Sequence, residues 1–280
     1  FQAWGKVGFG VRASDHMDSV YNNYGVRYTQ LYCDGRLVFS SDVNNIPTNC
    51  HRMVNSWGDY DHFLSTKIWF MKSYIEPGNT LPILRADANK GIINFNQQRD
   101  YHLRYVLKDV FGNQTVKEFT VRGEPEAIPV AYHPEGATPL YYAKDNHFNA
   151  DGVRLNIQKG LLAKNGWLQL LHGRTYNAHS EAYSFAKAAY PLFNYAQISL
   201  KPSGAVHNPE KLYVAMRNSL NADAPASFCG GKYAKGWVTG RMRELGCAYF
   251  LAYDDTPPTI TQQSLNPVSY THLTLPTTYS

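Results

Sequence analysis

Histidine is the commonest metal ligand and general base, and ten of them punctuate the chain: His16, His51, His62, His102, His133, His147, His172, His179, His207 and His272. A protein metal site needs ligands that meet on one face, at i, i+2 along a strand or i, i+4 along a helix. No two of these histidines have either spacing. His147-Phe-Asn-Ala-Asp151 has the His-x-x-x-Asp spacing found in several zinc enzymes, but it lies in a turn-like stretch, and a single match is expected by chance among this many histidines. A structural or incidental role is the expectation, and no metal site is assigned. There is no Gly-x-Ser-x-Gly elbow and no phosphate loop, and Gly8 and Gly10 sit inside a strand pattern that leads into no helix. Cys229-Gly230-Gly231 offers a thiol, but no histidine neighbours it in sequence, so it is expected to be a loop thiol and no catalytic residue is assigned.

Aromatic side chains supply the one binding chemistry worth naming residue by residue. Tyr and Trp on an exposed sheet can stack on sugar rings while their polar tips meet hydroxyls. In the second half of the chain Tyr141, Tyr142, Trp167, Tyr233 and Trp237 are the candidates for glycan stacking. Packing within or between sheets is the competing role for each, because large aromatics dominate sandwich cores.

The elements that would carry these residues are strands. The chain has 280 residues, enough for two domains with separate cores. Tyr is abundant, at 21 residues against 5 Met, and Asn, Gly and Thr are frequent, a composition that favours strands and turns. No apolar run approaches the roughly 18 residues of a membrane span. The formal charge of +5 comes from 27 basic and 22 acidic residues scattered without a run of five like charges, which gives nucleic-acid binding no support. Cys33, Cys50, Cys229 and Cys247 have no close-paired spacing, so a zinc knuckle or redox dithiol is not expected, while free thiols and disulfides both stay open.

Lys6 to Ala13 alternates, with Val7, Phe9, Val11 and Ala13 on one face, and predicts a half-buried strand. Asp34-Gly35 between Thr29–Cys33 and Leu37–Phe39 predicts a hairpin, with Cys33 on the apolar side. Asp59 to Leu64 reads as a short helix before a strand at Ile68–Met71. Leu103, Tyr105 and Leu107, a turn at Phe111-Gly112-Asn113, and a strand ending at Val121 complete a first unit over residues 1–125. In a second unit, over 127–253, strands are expected at Val153–Ile157, Trp167–Leu171, Ile198–Leu200, Leu212–Met216, Gly236–Thr239 and Cys247–Ala252. Glu181–Ala189 is helix-permissive until Tyr190-Pro191 ends it. The expected class is all-β: tandem immunoglobulin-like or β-sandwich modules with a short helical insertion.

The ends carry their own expectations. Phe1-Gln2-Ala3-Trp4 enters a strand pattern without an initiator Met, as a chain that has lost an N-terminal part would. Residues 254–266 read as a Pro-stiffened linker and the start of a third module, with Thr259-Ile260 its first strand. Val268-Ser-Tyr-Thr-His-Leu-Thr-Leu-Pro-Thr277 reads as one frame of a transposase mosaic-end sequencing adapter, so residues 267–280 are set aside as a scar.

Three stretches carry a resemblance: Met71-Lys-Ser-Tyr-Ile-Glu-Pro-Gly-Asn-Thr-Leu-Pro82, Tyr101-His-Leu-Arg-Tyr-Val-Leu-Lys-Asp-Val-Phe-Gly-Asn113, and Gly240-Arg-Met-Arg-Glu-Leu-Gly246 followed by Asp255-Thr-Pro-Pro258. Together they resemble the region downstream of the enzyme domain in lysostaphin- or LytM-type zinc metallopeptidases of the Gram-negative envelope. The resemblance implies that a zinc endopeptidase domain, with His-x-x-x-Asp and His-x-His motifs, precedes modules like these and hydrolyses peptidoglycan crosslinks. None of those motif residues carries over: His-x-His is missing, and His147 to Asp151 lacks the Gly-Ile/Val-Asp ending. For this chain the resemblance implies a non-catalytic accessory region in the periplasm or cell envelope. It would have no cofactor of its own, a zinc peptidase in cis, and peptidoglycan or another envelope glycan as partner. A glycan-binding or adhesin-type sandwich with no enzyme attached is the alternative.

Overall fold

The structure is a computed structural model and describes residues 1–16, 23–128, 133–220 and 225–259. Its secondary structure is almost entirely strand. In the first part of the chain a six-stranded sheet runs in the order Gln2–Ala3, Gln114–Gly123, Asp100–Lys108, Tyr28–Cys33, Arg36–Asp42, Leu84–Ala86. All pairings are antiparallel except that of Gln2–Ala3 with Gln114–Gly123. The predicted hairpin is present, and Asp34 and Gly35 both turn with positive φ, 50° and 78°, the backbone twist that joins two right-twisted strands directly. Alternation along Asp100–Lys108 sends Tyr101, Leu103 and Tyr105 into the core beside Leu31, Phe39 and Phe95.

The facing layer is made of short ladders, Gly5–Val7 with Ile93–Phe95 and Gly10–Val11 with Met71–Lys72. Lys6–Ala13 is therefore two short strands with different partners, not one. The break falls at Gly8, where an added Cβ would lie 2.6 Å from the Tyr74 ring, so the chain passes that ring too closely for a side chain there. The apolar alternation still holds, because Val7, Phe9, Val11 and Ala13 all pack on the core. Tyr60–Thr66 is the expected short helix: Asp59 caps it by accepting from the His62 N–H, and Lys67 ends it in the left-handed region at φ 62°. Val54–Trp57 adds one further helical turn, and of the strand expected at Ile68–Met71 only Met71 is in one, the short strand Met71–Lys72.

The second part of the chain is a sandwich of two five-stranded sheets. One runs Asn146–Ala150, Val153–Ile157, Pro191–Leu200, Trp237–Glu244, Lys232–Ala234; the other runs Leu171–Gly173, Ala182–Ser184, Ala248–Tyr253, Leu212–Arg217, Ser227–Phe228. Their inner faces meet in a core that includes Leu155, Ile157, Ile198, Leu200, Val214, Met242, Phe185 and Tyr249. Two expectations are corrected here. Glu181–Ala189 forms no helix, because Ala182–Ser184 is a fully buried strand paired with Leu171–Gly173 and Tyr249, and burial outweighs the helix propensity of its alanines. Trp167–Leu171 splits into Gly166–Leu168, which pairs with Thr138–Leu140, and Leu171–Gly173, which joins the second sheet. Ile260, the linker beyond Thr259 and residues 267–280 lie outside the described residues, as does His272.

Candidate functional site

The five aromatic candidates occupy separate places. Trp167 sits on the short ladder with Thr138–Leu140, more than a third exposed, its ring 4.6 Å from that of His133. Tyr141 follows the same ladder and lies under the Lys144 ammonium, 4.6 Å from the ring centroid. Tyr142 packs partly buried against the sandwich core. Tyr233 is opposite the inward-facing Val238 on an edge strand, whereas Trp237, opposite Ala234, has the other parity and faces outward. Among the described residues they make no single platform.

Trp237 does belong to a larger surface, the outer face of the sheet that carries it. The Arg154 guanidinium lies 3.9 Å from its ring centroid, reaching across the intervening strand Pro191–Leu200. At the other end of that face Tyr195, 41% exposed, lies under Arg243 at 3.5 Å and Arg241 at 4.9 Å. Between these clusters run hydrogen bonds: His147 Nδ1 with Asn156 Oδ1 at 2.8 Å, Asn156 Nδ2 to Gln197 Oε1 at 3.4 Å, and the Ser199 and Thr239 hydroxyls at 2.8 Å. Sequence reasoning missed Arg154, Tyr195, Arg241 and Arg243. The signal was there as the alternation Thr239, Arg241, Arg243 around Val238, Gly240 and Met242.

A polar hollow of about 600 Å³ opens at the end of the sandwich, lined by Asp151, His172, Glu181, Tyr183, Lys201 and Ser203 among others. His172 Nδ1 is 3.0 Å from Glu181 Oε2, and the Tyr183 hydroxyl donates to the Asp151 carbonyl at 3.1 Å. Burial, then Glu181 and Asp151, push the Tyr183 hydroxyl above its ordinary value. His147 is engaged with Asn156 on the outer sheet face while Asp151 lines this hollow, so the His-x-x-x-Asp spacing assembles no ligand pair. Among the described residues no three His, Cys, Asp or Glu side chains come together as metal ligands would. All four cysteines are free and half-buried. Burial raises the Cys33 and Cys229 thiols to about 11 and, with Glu244 and Cys229 adding, Cys247 to about 12. A nucleophilic thiol is activated in the opposite direction, which fits Cys229 as a packed loop thiol.

The stretches that carry the resemblance have a different job. Gly78 N–H donates to the Ala163 carbonyl at 2.6 Å, joining the two halves of the chain directly. Beside it the Glu76 carboxylate, 7% exposed, lies 3.2 Å from Lys72 and 3.3 Å from Lys164. Asp61 accepts from Ala189 N–H at 2.9 Å, and Arg52 Nε donates to the Leu192 carbonyl at 3.1 Å. Glu244 accepts from the N–H groups of Tyr190 and Gly246, and burial raises its carboxyl. Burial, then Glu244 from across the seam, raises the Tyr60 hydroxyl. The 101–113 stretch meets the 71–82 stretch inside the first half, through the Tyr105 hydroxyl 2.7 Å from that of Ser73.

No curated protein and no solved structure matches the chain. Residues 137–254, the span of the two-sheet sandwich, match the family described as Zu5-like domain.

Proposed function

We propose that the chain is a non-catalytic accessory region of a secreted peptidoglycan endopeptidase, positioning a zinc peptidase domain against the wall of the cell envelope. The observation that carries this reading is the seam. Two of the three stretches resembling the downstream region of lysostaphin- or LytM-type peptidases supply Glu76, Gly78 and, beside Tyr60, Glu244 to the contact between the two halves. The third bonds to the first of these stretches inside the first half, through Tyr105 and Ser73. On this reading the shared stretches help to join two β units, which is what an accessory arm of fixed shape requires.

In this reading the zinc belongs to the peptidase domain in cis, and the described residues of the chain contribute binding and spacing only. The Zu5-like match to residues 137–254 concerns the second unit and is compatible with the alternative, an envelope glycan-binding or adhesin-type sandwich with no enzyme attached. Coding sequence upstream of Phe1 discriminates between them. A His-x-His motif and a His-x-x-x-Asp motif encoded there support the accessory reading, and an upstream region without them overturns it.

A further inference from the structure

Basic residues that are scattered along the sequence converge on the outer face of the sheet that holds Trp237. Cross-strand pairing places Asn149, Arg154, Ser199, Thr239 and Lys232 in one row, and His147, Asn156, Gln197 and Arg241 in the next. Directly paired residues project to the same side of a sheet, so these rows form one surface. Arg243 and Tyr195 extend it, giving a face about 20 Å long from Trp237 to Arg243 by strand rise. The only acid in the five strands is Glu244, and its carboxylate is half-buried and accepts backbone N–H groups. Arg154, Lys232, Arg241 and Arg243 make no ion pair among the described residues. The buried Nε of Arg243 has no acceptor among them.

We propose that this face binds a carboxylate-bearing glycan chain. Guanidinium groups seated over aromatic rings are restrained forks, and a guanidinium fork can meet a carboxylate with two hydrogen bonds. Arg154 on Trp237 and Arg241 with Arg243 on Tyr195 are two such anchors at opposite ends. Between them Asn149, Asn156, Gln197, Ser199 and Thr239 offer the amide and hydroxyl groups that pair with sugar hydroxyls. The rings are already capped by guanidinium, so they are not free to stack on nucleic-acid bases. Among the described residues Tyr195 is the one exposed large apolar side chain on the face, too little to enter a lipid surface. The assignment names the ligand class for the accessory role proposed above and rests on that role for the choice of a wall glycan.

The test is titration of the full chain with polygalacturonate oligomers, neutral dextran, duplex DNA and phosphatidylglycerol vesicles. Polygalacturonate should bind in a salt-sensitive manner and dextran should not. Arg154→Gln and Arg241→Gln should each weaken binding about tenfold, as expected for loss of one charge-assisted pair, with melting temperatures unchanged. Arg241→Lys keeps the charge but not the fork and should also bind more weakly. Tighter binding to DNA or vesicles than to polygalacturonate, or unaltered binding in all three variants, overturns the assignment. If polygalacturonate fails while whole peptidoglycan still binds, the ligand class falls and the accessory role stands.

Discussion

Replacing Gly78 with Ala should loosen the contact between the two halves without touching either core. An added Cβ would lie 2.2 Å from the Leu162 carbonyl oxygen and 3.0 Å from that of Ala163. Both obstacles are backbone, so neither can swing aside as a side-chain tip would. Relief requires the two segments to part, which breaks the Gly78 to Ala163 hydrogen bond and pulls Lys164 from Glu76. A backbone hydrogen bond contributes about 1 kcal/mol net, the half-exposed Lys164 partner adds less than about 1, and overpacking strain typically costs about 1–3. A total of about 2–5 kcal/mol corresponds to a melting temperature lower by roughly 4–20 °C for a chain of this size. Calorimetry checks the drop, and limited proteolysis should cleave the joining segment near residues 124–136 faster. Gly204→Ala, at a position with open space around it, is the control and should melt like the parent. If Gly78→Ala also melts within about 1 °C of the parent, the seam does not hold the halves together and the reasoning is refuted.

Alkaline pH should destabilise the fold in a defined window. The Cys33, Cys229 and Cys247 thiols are raised by burial from 9.0 to about 11, 11 and 12, so their stabilising contribution is whole below pH 9 and is lost as pH rises through 11 and 12. Melting temperature should hold steady to about pH 8.5 and then fall, and a flat profile to about pH 11 contradicts the burial of these thiols. Tyr249→Phe removes a hydroxyl that donates to the Glu244 carbonyl at 2.7 Å deep in the sandwich, and should cost about 1–2 kcal/mol in denaturant titration. Elemental analysis of purified chain should find no stoichiometric zinc, because His147 and Asp151 point to different surroundings; one zinc per chain, lost in His147→Ala, counts against that placement.

How much is legible in the sequence depends on how local the determining physics is. Asp34-Gly35, the 100–108 and 114–123 hairpin, and the Asp59 cap each rest on residues adjacent in sequence, and each can be read there. Ala182–Ser184 reads wrongly as helix because its fate is set by strands outside it, Leu171–Gly173 just before it and Tyr249 far along the chain. Gly8 looks like a strand residue until Tyr74 stands against it. The same limit hides the basic face. Charge counted along the chain looks dispersed, yet strand order brings Arg154 beside Ser199 and Thr239 and aligns Arg241 with Gln197. Trp237 attracts notice for its ring, whereas the ring serves as a seat for Arg154. Glu76 and Gly78 stand out in the sequence only as part of a resemblance, and their partners Lys164 and Ala163 explain why those residue types are required.

The accessory role is tested most directly by incubating the purified chain with peptidoglycan sacculi and measuring both sedimentation and soluble peptide release. The account predicts that the chain pellets with the sacculi and releases no peptide, with or without added zinc. A chain that stays in the supernatant, or one that frees crosslink peptides by itself, contradicts it.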